Sequence, residues 1–360
     1  MKKLFVLSCV ALATLASCSK SEDIEAPQAQ KEIAFSVATD KSRAPIAGSE
    51  FPTSLSMYVS AYNSVSKDYF KNVEFKHNDD SWKAGMYWPI NGVTNFLAYA
   101  FTPAADTQTT AVMNATKAKW GDTSDANWAQ QVTFDFGDKS LCYAPATVDG
   151  STVADPMTPY VDLLYASGEQ AKEKVYTPVS MTFKHTGAWV VFNVKLGSVL
   201  TGAKVTLNSF QLAKLFKGGK VVVDNTTYAG AKASWDFSGV TAADYDVESF
   251  TTLKQLKADT KDSQGNVTAK GDYTFGAIIP EQNQTAIKFE YTLASSDEDN
   301  PAFTAQTATY EYPLSRFDKW EMGKKYTYNI TITFNEITIT PSVENWVDVP
   351  DGGNGTDVQI

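Results

Sequence analysis

Tyr326-Thr327-Tyr328-Asn329-Ile330-Thr331-Ile332-Thr333-Phe334 puts a large apolar residue at every second position and a polar one between. Successive side chains of a strand point to opposite faces, so this stretch predicts a β-strand with one face in a core. The same period recurs upstream in Ile33, Phe35 and Val37, in Leu55, Met57, Val59 and Ala61, and in Val132, Phe134 and Phe136. Residues 95–101 are nearly all apolar, as in a strand buried on both sides. Further strands are expected over 160–166, a long run at 181–195, then 205–212, 220–224, 273–279, 287–293 and 308–312. Turn residues separate them: Asn91-Gly92, Lys217-Gly218-Gly219, Gly265-Asn266 and Pro280-Glu281. Only residues 240–259 have a helical flavour, and it is broken. Many short strands with polar turns predict an all-β protein built of sandwiches.

The chain has 360 residues, a comfortable length for two domains. With 43% hydrophobic and 20% charged residues it is globular rather than disordered. Charged residues without strand pattern at 167–175 mark a boundary. They divide an N-terminal β-sandwich domain, 31–175, from a C-terminal one, 176–347, with a Gly-rich acidic tail at 348–360. Residues 102–131, with Trp120 and Trp128, form the longest irregular stretch and read as a surface excursion. The net charge of −10 excludes nucleic acid as a partner, since phosphate binding needs a basic face. Lysine supplies nearly all the positive charge; the two arginines are Arg43 and Arg316.

The first residues form a targeting signal. Lys2 and Lys3 precede an apolar run from Leu4 to Leu15, too short to span a bilayer as a helix. Then comes Leu15-Ala16-Ser17-Cys18, which looks like a bacterial lipobox. Residues 1–17 read as a lipoprotein signal peptide, and Cys18 as the thiol that takes an acyl chain such as palmitate. Residues 18–30 are short, polar and acidic, a flexible tether whose Glu22-Asp23 pair resembles an export signal to the outer face of the outer membrane. Cys142 is then alone, so no intrachain disulfide is expected.

Catalytic chemistry is not indicated, and no enzyme activity or cofactor is expected. His77 lies in a charged turn, and His185 shares a strand face with Met181 and Phe183. Each reads as structural, because a general base needs a placed partner. No nucleophile elbow, Walker loop or zinc-spaced Cys/His set occurs. Asp297-Glu298-Asp299-Asn300 and Asp351-Gly352-Gly353-Asn354-Gly355-Thr356-Asp357 are fragments of calcium loops without full ligand spacing, so no metal site is expected. Trp82, Trp120 and Trp128 offer faces for stacking on sugars or for ordinary packing.

Several landmarks follow one another in order. Tyr87-Trp88-Pro89 precedes Thr94-Asn95-Phe96-Leu97-Ala98-Tyr99-Ala100-Phe101, then Val161-Asp162-Leu163-Leu164-Tyr165-Ala166. Met181-Thr182-Phe183-Lys184-His185 and Ile279-Pro280-Glu281-Gln282 come next. Last are Trp320, Gly323, Tyr326, Tyr328 and Ile330 at fixed offsets, Ile337-Thr338-Ile339, and Asn345-Trp346. Behind a lipobox, this ordered set resembles the fimbrillin (Mfa-like) family of type V pilus subunits. The resemblance implies two tandem transthyretin-like β-sandwich domains. It also implies a lipoprotein at the outer membrane and cell surface, cut after an N-terminal arginine by a trypsin-like protease. The excised piece carries a strand of the first domain, and a strand from a neighbouring subunit fills the groove. Partners would be other pilus subunits, the outer membrane through Cys18, the processing protease, and host or bacterial surface ligands.

The residues fit that implication. Ile33, Phe35 and Val37, within 31–43, make the removable strand. Lys41-Ser42-Arg43-Ala44-Pro45 follows, and Pro45 disfavours sheet pairing, which marks Arg43–Ala44 for processing. The plain alternative for Arg43 is a solvated linker charge. Arg316, inside an aromatic hairpin from Tyr312 to Trp320, is expected to be protected by folding. Candidate donor residues are Ile337, Ile339, Val343 and Trp346; the polar tail beyond them makes a poor donor strand. The competing reading is a glycan-binding outer-membrane surface lipoprotein that does not polymerise, which a solvent-facing row of aromatics would favour.

Overall fold

The computed structural model describes residues 31–39, 51–65, 67–102, 131–137, 162–170, 177–226, 230–248, 254–299, 301–333 and 337–345. All regular structure among them is β, with no helix. The first strands are β1 (Phe35–Thr39), β2 (Met57–Asn63), β3 (Lys67–Asn78), β4 (Ser81–Lys83) and β5 (Thr94–Thr102). β6 (Gln131–Gly137), β7 (Asp162–Gln170) and β8 (Val179–His185) follow. Seven of these close a barrel in the order β1-β4-β3-β2-β5-β7-β8, β6 standing outside it. The strands alternate as their sequences demand: in β8, Val179, Met181, Phe183 and His185 are buried while Ser180, Thr182 and Lys184 are exposed. Inside the barrel lies a core rich in aromatics, including Phe35, Phe51, Phe75, Phe96 and Phe183.

The second half continues with β9 (Gly187–Leu196), β10 (Ala203–Leu215), β11 (Gly219–Asp224), β12 (Lys232–Asp236), β13 (Ala243–Glu248) and β14 (Lys254–Gln255). Then come β15 (Thr260–Lys261), β16 (Val267–Ala269), β17 (Tyr273–Pro280), β18 (Gln282–Asn283) and β19 (Ala286–Ser295). β20 (Gln306–Pro313), β21 (Lys319–Trp320), β22 (Lys324–Ile332) and β23 (Ile337–Asn345) complete it. One sheet runs β13-β10-β19-β20, with β14 also on β10; the other runs β17-β9-β22-β23. Both contribute to a second core, with Phe192, Phe210, Phe275, Phe289, Trp320 and Tyr328 at its centre. Residues 243–248 and 254–255 are extended strands paired with β10, where a broken helix was expected. Pairing with a neighbour here overrides weak local preference.

The chain passes between cores at Thr186–Gly187, inside what the sequence presents as one long apolar run. β8 seals the barrel and β9 enters the second core. Thr186 is pinned to Leu163 O by both its amide, at 3.1 Å, and its hydroxyl, at 2.9 Å. Gly187 is required by space: a Cβ there would lie 2.6 Å from Ile278 Cγ2 and 3.1 Å from Ile279 O.

A third core ties the halves together. β6 pairs with β11, and β11 with β12, in a three-stranded sheet. Its Phe134, Val221 and Val223 pack with Tyr99, Leu97 and Leu163, which point outward from the barrel. Trp235 on β12 packs against this core and donates its indole N–H to Thr186 O at 2.7 Å.

Candidate functional site

The first strand is an integral part of the barrel. Ile33 and Phe35 are wholly buried, and Val37 packs partly buried against the same core. Ser36 and Ala38, on the opposite face, are exposed, and Ala34 is half-buried. The Phe35 ring meets Phe75 and Phe96 edge-on, with centroids at 5.0 and 5.1 Å. β1 lies parallel to β8, Phe35 opposite Val179 through Thr39 opposite Phe183, and pairs β4 at Phe35–Trp82. Ahead of it, Ile33 N donates to Met86 O at 2.6 Å, and Trp88 N to Lys31 O at 3.0 Å. The Glu32 carboxylate accepts the Gly85 amide at 2.8 Å. Burying two such side chains contributes on the order of 3–6 kcal/mol before ordering costs.

On the far side of Arg43 the chain is anchored in the same core. Phe51 is 1% exposed and stacks on Phe183 with centroids 4.7 Å apart. Arg43 and Ala44 lie outside the described residues, as do Cys18 and Trp346. Arg316 is exposed rather than protected. The chain around it is tied, however: Leu314 N donates to Thr285 O at 2.8 Å, and Gln284 Oε1 accepts from Phe317 N at 3.3 Å.

The C-terminal candidates form a regular strand, not a loose extension. β23 pairs antiparallel with β22 from Ile332–Ile337 to Lys324–Asn345. Ile337, Ile339 and Val343 pack partly buried against the second core, while Thr338, Thr340 and Ser342 are exposed. β23 is the edge of its sheet. An edge tolerates Pro341, whose missing N–H would break a central ladder.

The histidines find partners that the sequence did not reveal. His77 sits in β3 with its ring 4.6 Å from that of Trp82. His185 Nδ1 pairs with the Asp162 carboxylate, both sealed from solvent. Burial pushes the Asp162 carboxyl above its ordinary range, and the adjoining His185 pulls it back. Its Oδ1 has no hydrogen-bond partner. With side-chain exposures of 2% and 0%, this pair offers no path to a substrate. Trp82 is 5% exposed and donates to Leu55 O at 3.3 Å, so it is a core residue, not a sugar platform. Trp120, Trp128, Cys142 and the 351–357 segment lie outside the described residues. Among the described residues, no cluster of three or more His, Cys, Asp or Glu is placed to hold a metal ion.

Residues 48–346 match the family model described as fimbrillin-like, a match that begins just after β1. No curated protein matches the chain. Among solved structures, a fimbrial protein from Bacteroides vulgatus is 17% identical, with a TM-score of 0.53 over 88% of this chain and 99% of its own. A putative cell adhesion protein from Bacteroides ovatus is 16% identical, covering 90% and 100% at a TM-score of 0.47. The tip fimbrial protein Mfa3 from Porphyromonas gingivalis is 10% identical, covering 88% and 100% at 0.36. Because the family match spans well over half of its residues, the chain belongs to the fimbrillin-like family.

Proposed function

We propose that the protein is a subunit of a cell-surface fimbrium, assembled by strand exchange after a cut behind its first strand. The observation that carries the reading is the bracketing of Arg43. Ile33 and Phe35 on one side and Phe51 on the other are buried in one core. A cut after Arg43 would leave the first strand held only by the non-covalent contacts of residues 31–39, and its departure would open an apolar slot beside β8 and β4. Such an open edge accepts a strand of alternating apolar residues. Ile337, Ile339 and Val343 have that alternation, with Trp346 beyond them. To donate, β23 must first leave β22. Lipid on Cys18 would anchor the precursor to the outer membrane, and a trypsin-like protease would make the cut at Arg43–Ala44.

The test is limited digestion of the full precursor by a trypsin-like protease, with mass spectrometry and denaturing gels. The expected product begins at Ala44 and forms SDS-resistant ladders. Arg43→Ala should fold and remain monomeric; truncation before Glu336 should accept a neighbour but not donate. Ladders from both variants equal to the parent's would refute strand exchange.

A further inference from the structure

A cavity of about 250 Å³ lies on the outer face of the β17-β9-β22-β23 sheet, away from the second core. Its floor carries Asn193, Lys195, Asn329 and Thr331, which alternate with core residues along β9 and β22. Its wall comes from the β15–β16 hairpin and its flanks, with Asp259, Val267, Lys270 and Asp272. The floor is organised before any ligand arrives. Thr274 Oγ1 donates to Asn193 Oδ1, and Asn193 Nδ2 to Asn329 Oδ1, each at 2.8 Å. This row fixes the amide orientations and leaves the Asn329 Nδ2 donor unspent. The wall is fixed as well. Asp259 accepts Lys195 Nζ at 2.8 Å and the Gly271 amide at 2.9 Å. A Cβ on Gly271 would lie 2.5 Å from the Ala258 carbonyl carbon, so only glycine permits this close approach.

We propose that this cavity binds one neutral polyhydroxylated ring, a single carbohydrate unit, against the Asn193–Asn329 row. Charge selects the class. Lys195 lies 2.8 Å from Asp259 and 3.7 Å from Asp272, and Lys270 also lines the cavity. Two cations and two anions make the lining formally neutral, which favours no ion of either sign. The lining mixes apolar surface with amide, hydroxyl and carboxylate groups that offer both donors and acceptors. A polyol presents the same alternation, and pre-set groups bind it at less ordering cost. Size selects a single ring, because the volume falls below the ~300–1,000 Å³ of ordinary small-molecule sites. Val267 supplies an exposed apolar patch for ring C–H groups. The inference is independent of strand exchange, since none of these residues belongs to β1 or β23.

The experiment is an NMR titration of the full folded chain with methyl α-D-mannopyranoside, methyl β-D-galactopyranoside and methyl N-acetyl-β-D-glucosaminide, and with the methyl glycoside of sialic acid as the anionic probe. At least one neutral glycoside should give saturable shifts at Asn193, Asn329 and Thr331 with millimolar affinity, and the sialoside should bind more weakly. Asn329→Leu replaces an exposed side chain and should lower affinity at least tenfold with an unchanged thermal midpoint. Thr331→Val is the second variant should the first disturb the sheet, with the same loss expected. Absence of saturable shifts with all three neutral glycosides, preference for the sialoside, or unchanged affinity in both variants would overturn the proposal.

Discussion

Replacing Phe35 by alanine measures how firmly the first strand is held. The ring is fully buried and contacts Phe75 and Phe96 edge-on. Truncating a buried phenylalanine costs about 3–5 kcal/mol, the lost transfer energy and the cavity left behind acting together. The two ring contacts, about 0.5–1.5 kcal/mol each, keep Phe35 off the bottom of that range, so about 4 kcal/mol is expected. In urea, with a slope of about 3 kcal/mol/M, the unfolding midpoint should fall by about 1.3 M. Trp82, opposite Phe35 in the register, is one of the eight tryptophans whose fluorescence follows the transition. Ser36→Ala, an exposed neighbour on the same strand, should stay within about 0.5 kcal/mol. In protein cut after Arg43, the same substitution should weaken retention of the released strand by about a thousandfold, since each 1.4 kcal/mol is tenfold. A loss below about 1 kcal/mol, or an equal loss from Ser36→Ala, would refute the claim that β1 is seated by its side chains.

Three further outcomes follow from the same structure. His185→Leu strands the Asp162 carboxylate in a dry site and should cost about 3–5 kcal/mol by chemical denaturation. The double variant with Asp162→Leu should recover most of that, and no recovery would disprove the buried pair. The hydrogen bond from Lys195, with that from the Gly271 amide, holds the Asp259 carboxyl below its ordinary 3.8. A lowered carboxyl stabilises the fold above its ordinary value, and that share is lost as pH falls through the lowered one. The Gly271 amide resonance should therefore hold steady above about pH 4 and move only in stronger acid; movement centred near pH 6 would contradict the pairing. Finally, Cys18→Ala should free the protein from membranes or stall its maturation, as detergent partitioning would reveal.

How legible a strand was depended on how many of its faces were buried. β22 and β8 were plain because one face is core and the other solvent, so polarity alternates. β5 was plain because both faces are covered, by the barrel core and by the third core. The passage between cores at Thr186 was hidden because β8 ends on a buried residue and β9 opens with an unbroken buried run. β15 and β16 are only two and three residues long and wholly exposed, too short for a period to show, and only Gly265-Asn266 betrayed the turn. Alternation in Val221 and Val223 announced a strand but not its partner, so pairing with β6 from the other half could not be read. The candidate site divides similarly. Ile33, Phe35 and Val37 were visible by period, whereas Asp162 and His185 meet only through the fold.

The third core sets an order of events for a chain that emerges amino end first. The barrel has all its strands once His185 has appeared. Tyr58, Leu97, Tyr99, Leu163 and Tyr165 on its outer surface still await Val221, Val223 and the hairpin that ends at Asp236. During that interval a nearly finished barrel presents a greasy flank to its surroundings, the condition under which nascent proteins stick to one another. The strand order thus leaves that flank uncovered until Asp236 has emerged.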